Sequence, residues 1–551
     1  MKHLFLQIKP AHFNSKILFL FYFSLLTFHF SLSYSQQPTL EWVARYLRPS
    51  GSSAIPNQMA LDKVGNCYVF GNIPISGGVG GFLTIKYNSN GDTVWTRSYN
   101  IGSGNATVNE AIIADSIGNV YVTGYMGPTF GPYDIVTIKY NPSGVQQWIR
   151  IYAGAGNVSD TPGDITLDKF GRPYIAGGSG GEALIIKYDT NGDSIWVRKF
   201  NTSGYRSGVG SIAVNSQGYV YAGGNATLIS TNARNYLVIK YDSNGVYQWS
   251  DMYMSLGFES ARKMTIDRFD NCFITGEGSD GVTDGALTIK YNSSGTRLWL
   301  KVFRYGVTTD ANDMVTDLNG NAYVTGAYSV GAGNFNYITV KYNATGDSLW
   351  VRNYNGSAND NDEAYSITTD DSNNIYVTGR SINSGVSWDY VTIKYTSAGS
   401  QSWIATYNNQ LANAEDIASK VIVDKNRNVY VTGLSRGMIG GGLDYVTIKY
   451  SQPVGINPII AEIPNEFYLH QNYPNPFNPQ TKIRYELPKN SDVQIYIYDI
   501  TGKLITKLIS EYHRAGIYEV TFNAFNYSSG IYFYKLVTDK YTETRKMVLI
   551  K

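Results

Sequence analysis

Short apolar segments recur along residues 40–450 of this chain, and polar turns separate them. Each repeat contains an apolar segment such as Ile165–Leu167, a segment close to Tyr-Val-Thr-Gly, one close to Ile-Lys-Tyr, and one led by Trp. Tyr and Thr favour extended backbone, whereas the Gly and Asn between the segments favour turns. The pattern therefore predicts four β-strands in every repeat.

A motif close to Asp-x-x-Gly-Asn-x-Tyr-Val-Thr-Gly sets the length of the repeat, with copies 47 to 54 residues apart. It begins at Asp62, Asp115, Asp168, Asn215, Asp267, Asp317, Asp370 and Asp424. The Ile-Lys-Tyr-like segments that follow end at Tyr87, Tyr140, Tyr188, Tyr241, Tyr291, Tyr342, Tyr395 and Tyr450. The Trp-led strands begin at Trp95, Trp148, Trp196, Trp249, Trp299, Trp350 and Trp403, so the eighth repeat stops without one.

The strand missing from the eighth repeat is found before the first. Trp42–Tyr46 matches Trp148–Tyr152 in its Trp and Tyr positions. An open row of sheets leaves unpaired strand edges, and an N-terminal strand that completes the last sheet closes the row. The sequence therefore predicts an all-β chain whose residues 40–450 form an eight-bladed β-propeller closed by the N-terminal strand.

Two connections in each repeat are short and regular, and the other two vary and are expected on one face. Variable loops on a rigid scaffold are where binding is expected. Phe130 and Tyr133 lie in one such loop, and Arg380 and Trp388 bound another. These four are the candidate ligand-facing residues. The aromatic side chains either stack on sugars or pack between the loops.

The repeats resemble the bacterial β-propeller repeats called SBBP, and the resemblance covers nearly all of residues 40–450. No Trp-Asp dipeptide ends each repeat and no Gly-Gly pair recurs in register, so other familiar propeller repeats fit less well. The resemblance implies a fold and says little about activity.

The composition changes after Tyr450, where prolines mark a linker over residues 451–464. Alternating strands follow in residues 465–551, at Val493–Asp499, Ile517–Phe522 and Ile531–Val537. They predict a small Ig-like β-sandwich.

This sandwich resembles the type A C-terminal sorting domain of the type IX secretion system. The residues that carry the resemblance are Asn472, Pro474, Asn475, Pro476, Phe477, Asn478, Pro479, Gly502, Gly530, Tyr532, Lys546 and Lys551. The resemblance implies a transport address that the outer-membrane export apparatus reads and often removes afterwards. It also implies a Bacteroidetes-type cell and a product that is secreted or attached to the outer surface.

Residues 1–35 have the pattern of a signal peptide. Lys2, Lys9 and Lys16 precede an apolar run, and small residues at Ser33–Ser35 offer a cleavage site. No later segment is apolar enough to cross a bilayer. The net charge is +2 without a long basic run, so we predict neither a nucleic-acid nor an anionic-membrane partner, and expect a monomer.

The repeats contain no histidine, because all five lie elsewhere: His3, His12, His29, His470 and His513. A Ser-His-Asp group, a Cys-His group and imidazole-based metal sites are therefore excluded from them, and no cofactor or metal is predicted. Cys67 and Cys272 occupy the same position in repeats one and five, on opposite sides of an eight-membered ring. We therefore predict free thiols.

Three recurrent charged positions are candidates for chemistry, and the first two also allow a structural interpretation. The Asp that opens each turn resembles a calcium ligand, but an EF-hand loop needs Gly sixth and Glu twelfth, so a backbone-binding turn is favoured. The lysines of the Ile-Lys-Tyr strands either bind an anion or, as we expect, pair with a carboxylate of the same or next blade. Glu110, Asp164, Asp313 and Glu363 begin the inner strands, where carboxylate pairs could hydrolyse glycosides.

Two functions follow from these observations, and the lack of catalytic groups favours the first. It is an exported, non-enzymatic propeller whose variable loops bind a glycan or protein ligand or act as a scaffold. The alternative is a secreted polysaccharide hydrolase or lyase that uses carboxylates at the channel mouth.

Overall fold

The computed structural model describes residues 37–47, 53–75, 79–100, 105–128, 131–255, 259–331, 333–383, 387–409, 414–437, 442–452, 463–513, 515–524 and 527–551. The regular secondary structure of these residues consists of β-strands, which confirms the all-β prediction. Within these ranges no helix is long and apolar enough to span a membrane. The predicted signal peptide at 1–35 lies outside the described residues.

The strands of residues 39–451 form eight four-stranded antiparallel sheets. Strand β1 is Thr39–Tyr46, and sheet 1 is β2 (Ile55–Leu61), β3 (Cys67–Ile75), β4 (Val79–Tyr87) and β5 (Thr93–Tyr99). Sheet 2 is β6 (Asn105–Ala114), β7 (Val120–Pro128), β8 (Asp134–Tyr140) and β9 (Gln146–Tyr152). Sheet 3 is β10 (Asp160–Leu167), β11 (Pro173–Ser179), β12 (Glu182–Tyr188) and β13 (Ser194–Phe200). Sheet 4 is β14 (Tyr205–Val214), β15 (Val220–Leu228), β16 (Arg234–Tyr241) and β17 (Tyr247–Tyr253).

The same arrangement continues in the second half. Sheet 5 is β18 (Ser260–Ile266), β19 (Cys272–Ser279), β20 (Asp284–Tyr291) and β21 (Arg297–Phe303). Sheet 6 is β22 (Thr308–Thr316), β23 (Ala322–Gly331), β24 (Asn334–Tyr342) and β25 (Ser348–Tyr354). Sheet 7 is β26 (Asp362–Thr369), β27 (Ile375–Ser381), β28 (Asp389–Tyr395) and β29 (Gln401–Tyr407). Sheet 8 is β30 (Asp416–Val423), β31 (Val429–Arg436) and β32 (Leu443–Ser451), completed by β1.

The N-terminal strand completes sheet 8, as predicted. β1 pairs antiparallel with β32, so that Trp42 lies opposite Lys449 and Tyr46 opposite Tyr445. In every sheet the Trp-led strand is at one edge and the strand before the Asp-x-x-Gly-Asn turn is at the other. The predicted strand order within the repeat is therefore confirmed.

The turns confirm the structural role of the recurrent aspartates. The connections after the first and third strands of sheets 1–7 are all five residues long, whereas the other connections range from two residues at Gly180–Gly181 to eight at 47–54 and 408–415. Asp189 Oδ1 accepts hydrogen bonds from the backbone N–H groups of Asn191 and Asp193, both at 2.8 Å. The carboxylate thus closes the turn by accepting from its backbone.

Neighbouring sheets are joined by a shared acceptor. In sheets 1–6 the lysine Nζ and the tryptophan Nε1 both donate to one carbonyl in the third turn of the next sheet, at 2.6–3.2 Å. The acceptors are the carbonyl oxygens of Pro142, Thr190, Ser243, Ser293, Ala344 and Ser397. We expected these lysines to pair with carboxylates, and this expectation is mostly wrong. Each ammonium group donates to the turn carbonyl of the next sheet instead. Lys290 alone among them also approaches a carboxylate, that of Asp267 at 3.9 Å, within the described residues.

The same interaction joins sheet 8 to sheet 1. Lys449 Nζ and Trp42 Nε1 both donate to the carbonyl oxygen of Ser89, at 2.9 and 3.1 Å. The backbone N–H of Ala54 also donates to the carbonyl of Leu443 at 2.7 Å. Sheets that are farthest apart in sequence are thus in direct contact.

Gln452 completes the junction between sheets 7 and 8. No turn follows β32 toward β1, so sheet 8 has no equivalent carbonyl to offer. Lys394 and Trp403 of sheet 7 donate to Gln452 Oε1. The amide side chain therefore replaces a backbone acceptor.

Apolar side chains fill the spaces between adjacent sheets. Phe70 of sheet 1 packs with Val122 and Ile138 of sheet 2 in one of several such clusters. Cys67 and Cys272 are free thiols and completely buried, which confirms their prediction.

The C-terminal strands form two sheets around a separate core. The three-stranded sheet contains β33 (Tyr468–Leu469), β34 (Gln480–Leu487) and β37 (Gly516–Asn523). The four-stranded sheet contains β35 (Ser491–Asp499), β36 (Leu504–His513), β38 (Gly530–Val537) and β39 (Thr542–Leu549). Ile483, Ile495 and Leu536 belong to one buried cluster shared by both sheets, as a β-sandwich requires.

Replacing Gln452 by Ala is expected to lower the free energy of unfolding by about 1–3 kcal/mol, because two partly buried donors lose their acceptor. Urea denaturation of the full chain measures the change. Ser397→Ala is the matched control, since Lys341 and Trp350 use the backbone carbonyl of Ser397 and keep it. An equal effect of the two substitutions contradicts the assigned role.

Candidate functional sites

The Asn-Tyr-Pro-Asn-Pro-Phe segment of the C-terminal domain is anchored by Asn472, which is buried between β33 and β34. Its backbone N–H donates to the Tyr534 hydroxyl at 2.8 Å, and its Nδ2 donates to Thr481 Oγ1 at 2.9 Å. Nδ2 also donates to the carbonyl of Pro474 at 3.1 Å. One amide thus fixes the start of the segment.

The rest of the segment lies against the last strand of the chain. The buried Phe477 donates its backbone N–H to the carbonyl of Val548 at 2.9 Å and accepts from the N–H of Ile550 at 3.0 Å. Asn475 Oδ1 accepts from the N–H of Val548 at 2.9 Å. Pro474, Asn475, Pro476 and Asn478 stay exposed, while the carbonyl of Pro479 accepts from the N–H of Ala524.

The remaining predicted residues surround the same end of the chain or shape its turns. Tyr532 donates to the carbonyl of Ser528 at 2.8 Å, and the N–H of Lys551 donates to Ser529 Oγ at 2.9 Å. Lys546 is exposed and pairs in register with Phe533, whereas Gly530 pairs with Leu549. Gly502 has a φ of 83° in the turn after β35, and the pairing of Asp499 with Tyr532 places this turn at the same end of the sheet.

Four charged residues of the first strands pair across the sheets. Lys263 of sheet 5 lies 3.3 Å from Asp164 of sheet 3, and Lys420 of sheet 8 lies 3.5 Å from Asp313 of sheet 6. The carboxylates of Asp164 and then Asp313 raise the pKa of Lys263. Each ion pair joins sheets that are two apart in sequence order.

Glu110 is a candidate acid that lies at an irregular point of its strand. It is the extra residue of a β-bulge in β6, where the register shifts between Asn109 and Ala111. Burial raises its pKa from 4.5 to about 7.

Arg380, Trp388 and Glu363 come together as one cluster, with Tyr365 beside them. The Arg380 guanidinium lies 3.9 Å from the centre of the half-buried Trp388 ring, and its Nη2 lies 2.7 Å from Glu363 Oε1. The Tyr365 hydroxyl donates to Glu363 Oε2 at 2.7 Å. A planar cation stacked on indole, with its charge balanced, offers a flat polar and aromatic surface.

Tyr133 has a different environment. It is half-buried and its ring centre lies 5.1 Å from that of Tyr125, so the loop packs on itself. Phe130 lies outside the described residues.

A second acidic group, Asp310 and Glu277, lies next to the Arg380 cluster, and the sequence did not reveal it. Burial, and then the adjacent Glu277, raises the pKa of Asp310 to about 6. Both residues line a cavity of about 360 Å³ together with Arg304 and Asp284. They lie in different repeats at positions the motif does not define, so no pattern linked them.

Residues 471–551 match the family described as the secretion system C-terminal sorting domain. The protein is exported. The sorting domain indicates the cell surface or the extracellular space as its location, and implies an interaction with the type IX secretion apparatus. A second family model, GGGtGRT protein, matches residues 253–402.

Solved structures match this chain at low identity, and no curated protein matches in sequence. PorZ of Porphyromonas gingivalis, a surface component of the type IX secretion system, is 12% identical over 90% of this chain and 81% of its own, with a TM-score of 0.32. Sqt1 of Chaetomium thermophilum is 7% identical over 75% of this chain and 100% of its own, with a TM-score of 0.46. A Dyadobacter fermentans protein of unknown function is 9% identical over 75% and 99%, with a TM-score of 0.36. Because these TM-scores are below 0.5, we base no argument on them.

Glu110→Gln is expected to stabilise the protein at neutral and alkaline pH. The folded state keeps the Glu110 proton up to about pH 7, whereas the unfolded chain releases it near 4.5. Stability is therefore lost as the pH rises between these values, and the substitution restores about 1–2 kcal/mol at pH 8.

Urea denaturation between pH 5 and pH 8 measures this difference. The exposed Asp371→Asn serves as the control and is expected to follow the wild type. A Glu110→Gln variant with the pH dependence of the wild type contradicts the assignment.

Proposed function

We propose that this protein is a type IX-exported, non-enzymatic eight-bladed β-propeller that binds a glycan or protein ligand with its variable loops. In this proposal residues 1–35 are a signal peptide, residues 40–450 are SBBP-type blades, residues 451–464 are a linker and residues 465–551 are the sorting domain. The observation that carries the binding function is the stacked Arg380–Trp388 pair.

The contacts between sheets support a closed ring. Each sheet donates a Lys and a Trp to the next one in sequence, and Lys449 and Trp42 of sheet 8 donate to sheet 1. The ion pairs between alternate sheets support inner strands that converge on an axis. A linear row of sheets would allow neither the last-to-first contact nor pairs that pass over an intervening sheet.

The charge pairing supports a binding role over hydrolysis. A glycoside hydrolase needs one carboxyl group as acid and another free to act as base or nucleophile. Asp164 and Asp313 are each held by a lysine, and Glu363 is held by Arg380. Each of these three acids is thus engaged by a cation of the chain.

The Arg380 cluster supports a glycan or protein ligand at the variable loops. Arg380 is the second-last residue of β27, and the seven-residue connection 382–388 follows that strand. Indole faces stack on sugar rings and on peptide side chains, and a guanidinium adds fixed donors at the edge of the same surface.

Deleting residues 465–551 is expected to leave the protein inside the cell envelope, because the sorting domain is removed. Cell fractionation and immunoblotting measure the location. The full-length Trp388→Ala variant is the control and is expected to reach the surface like the wild type. Normal export of the deletion variant contradicts the assigned address.

Trp388→Ala and Arg380→Ala are expected to weaken ligand binding at least tenfold, because they remove the two stacked groups (a loss of about 1.4 kcal/mol or more). A glycan array and pull-down from envelope extracts, both with the purified full chain, identify the ligand.

Arg352→Ala is the matched control, since Arg352 also lies over an indole, that of Trp350, but binds a turn carbonyl of the next sheet. Equal loss from this variant contradicts a binding surface at Trp388. The non-enzymatic proposal is contradicted if the wild type hydrolyses a polysaccharide and Asp313→Asn or Glu363→Gln abolishes that activity.

A further inference from the structure

A cavity of about 450 Å³ opens where the first strands of sheets 8, 1 and 2 run into their Asp-led turns. In an antiparallel sheet the connections after the first and third strands lie at one end, and the connection after the second strand lies at the other. Trp388 belongs to a connection of the second kind. The cavity is therefore separate from the ligand-binding surface proposed at Trp388.

Aliphatic residues at the ends of three first strands line this cavity. Leu61 ends β2, Ala114 ends β6, and Ile422 and Val423 end β30, and all four are half-buried. The rest of the lining comes from the turns that follow these strands. A cavity of this size, with an apolar lining and few polar groups, is typical of a small-molecule site.

The carboxylates of these turns are engaged within their own sheets. Asp62 accepts from the backbone N–H groups of Val64 and Asn66 at 3.0 and 2.9 Å. Asp115 and Asp424 accept the same two bonds in their own turns. Burial lowers the pKa of the lysine in the Ile-Lys-Tyr strand of each sheet, and the Asp of that sheet opposes the shift; these lysines are Lys86, Lys139 and Lys449. Each Asp thus has a cation of its own sheet nearby.

Two further lysines of the lining add positive charge. Lys63 of sheet 1 and Lys425 of sheet 8 each follow the Asp of their turn, and both are exposed. Neither takes part in an ion pair or a side-chain hydrogen bond within the part of the chain that the structure describes. Sheet 2 has Ser116 at the equivalent position, and Asp371 of sheet 7 lies outside the lining. The cavity thus combines an apolar lining with two available ammonium groups.

We propose that this cavity binds a small amphipathic anion, in which an apolar chain or ring carries one carboxylate. The apolar part covers Leu61, Ala114 and the end of β30, and removing that surface from water supplies most of the affinity. The carboxylate pairs with Lys63 and Lys425. Because exposed ion pairs contribute little free energy each, the lysines select the charge and position of the ligand more than its affinity.

The surroundings favour a soluble anion over an anionic membrane surface. The turns after the third strands lie at the same end of the sheets and present exposed carboxylates, among them Asp92, Asp193 and Asp347. A flat anionic membrane that reached the cavity would approach these carboxylates, and like charges repel. A small ligand contacts the cavity alone.

A ligand in this cavity contacts both sides of the junction between sheet 8 and sheet 1. Leu61 and Lys63 belong to sheet 1, whereas Ile422 and Lys425 belong to sheet 8. At the same place the Tyr430 hydroxyl of sheet 8 donates to the carbonyl of Gly65 at 3.4 Å. A ligand that binds only the folded chain stabilises it, so occupancy is expected to raise the unfolding temperature.

The test is calorimetric titration of the full chain with sodium octanoate, and with 1-octanol as the uncharged compound of the same chain length. The wild type is expected to bind one octanoate at this cavity and to unfold at a higher temperature in its presence. It is expected to bind octanol roughly tenfold more weakly, because the two ion pairs are missing. The double variant Lys63→Gln, Lys425→Gln is expected to bind octanoate as weakly as the wild type binds octanol.

Two single variants locate the site. Ala114→Leu fills part of the cavity and is expected to weaken the binding of both compounds. Leu fits this strand position, since Leu61 and Leu167 occupy it in sheets 1 and 3. Lys169→Gln is the matched control, because Lys169 is the equivalent of Lys63 in sheet 3 and lies outside the cavity lining. This variant is expected to bind octanoate like the wild type.

The proposal is overturned if the wild type does not bind octanoate at millimolar concentration, or if Ala114→Leu binds it unchanged. It is also overturned if octanol binds as tightly as octanoate, or if the double lysine variant binds octanoate like the wild type, since either result indicates apolar contact alone.

Flotation with phosphatidylglycerol vesicles tests the membrane alternative, and the protein is expected to remain in solution. Flotation that the double lysine variant abolishes assigns the two lysines to a membrane surface and overturns the proposal. None of these results bears on export or on ligand binding at Trp388.

Discussion

The repeat depends on one carbonyl oxygen in each turn between the third and fourth strands. That oxygen accepts two donors from the preceding sheet, the ammonium of the Ile-Lys-Tyr lysine and the indole N–H of the Trp-led strand. Both donors would otherwise be buried against the next sheet without an acceptor, which costs about 1–3 kcal/mol for each. The requirement explains why Lys, Trp and the turn glycine recur together, since the indole lies against that glycine and leaves no room for a side chain.

Repetition made most of the fold predictable. The eight motif copies defined the strands, and the unmatched Trp42 strand indicated its partner near Tyr450, which the β1–β32 pairing confirms. The lysine partners were not predictable, because the sequence does not show that a turn of the next sheet places a backbone carbonyl beside each ammonium group. Gln452 was missed for the same reason, since a single amide after the last strand belongs to no repeated pattern.

The candidate sites were predicted less completely than the fold. The sorting-domain segment carries its own sequence signature, and a family model matches it. Arg380, Trp388 and Glu363 were identified separately, but only the structure joins them, since Glu363 lies on a different strand.

The position of Gln452 has a consequence for maturation of the exported protein. Its side chain supplies the last acceptor that sheet 7 needs, and it stands one residue beyond β32. A processing protease that removes the sorting domain must therefore cut after this residue to release an intact product. Cleavage before Gln452 would remove the acceptor of Lys394 and Trp403 at the junction between sheets 7 and 8. The folded repeats therefore extend one residue past their last strand, and Gln452 sets the earliest position at which the chain can be cut.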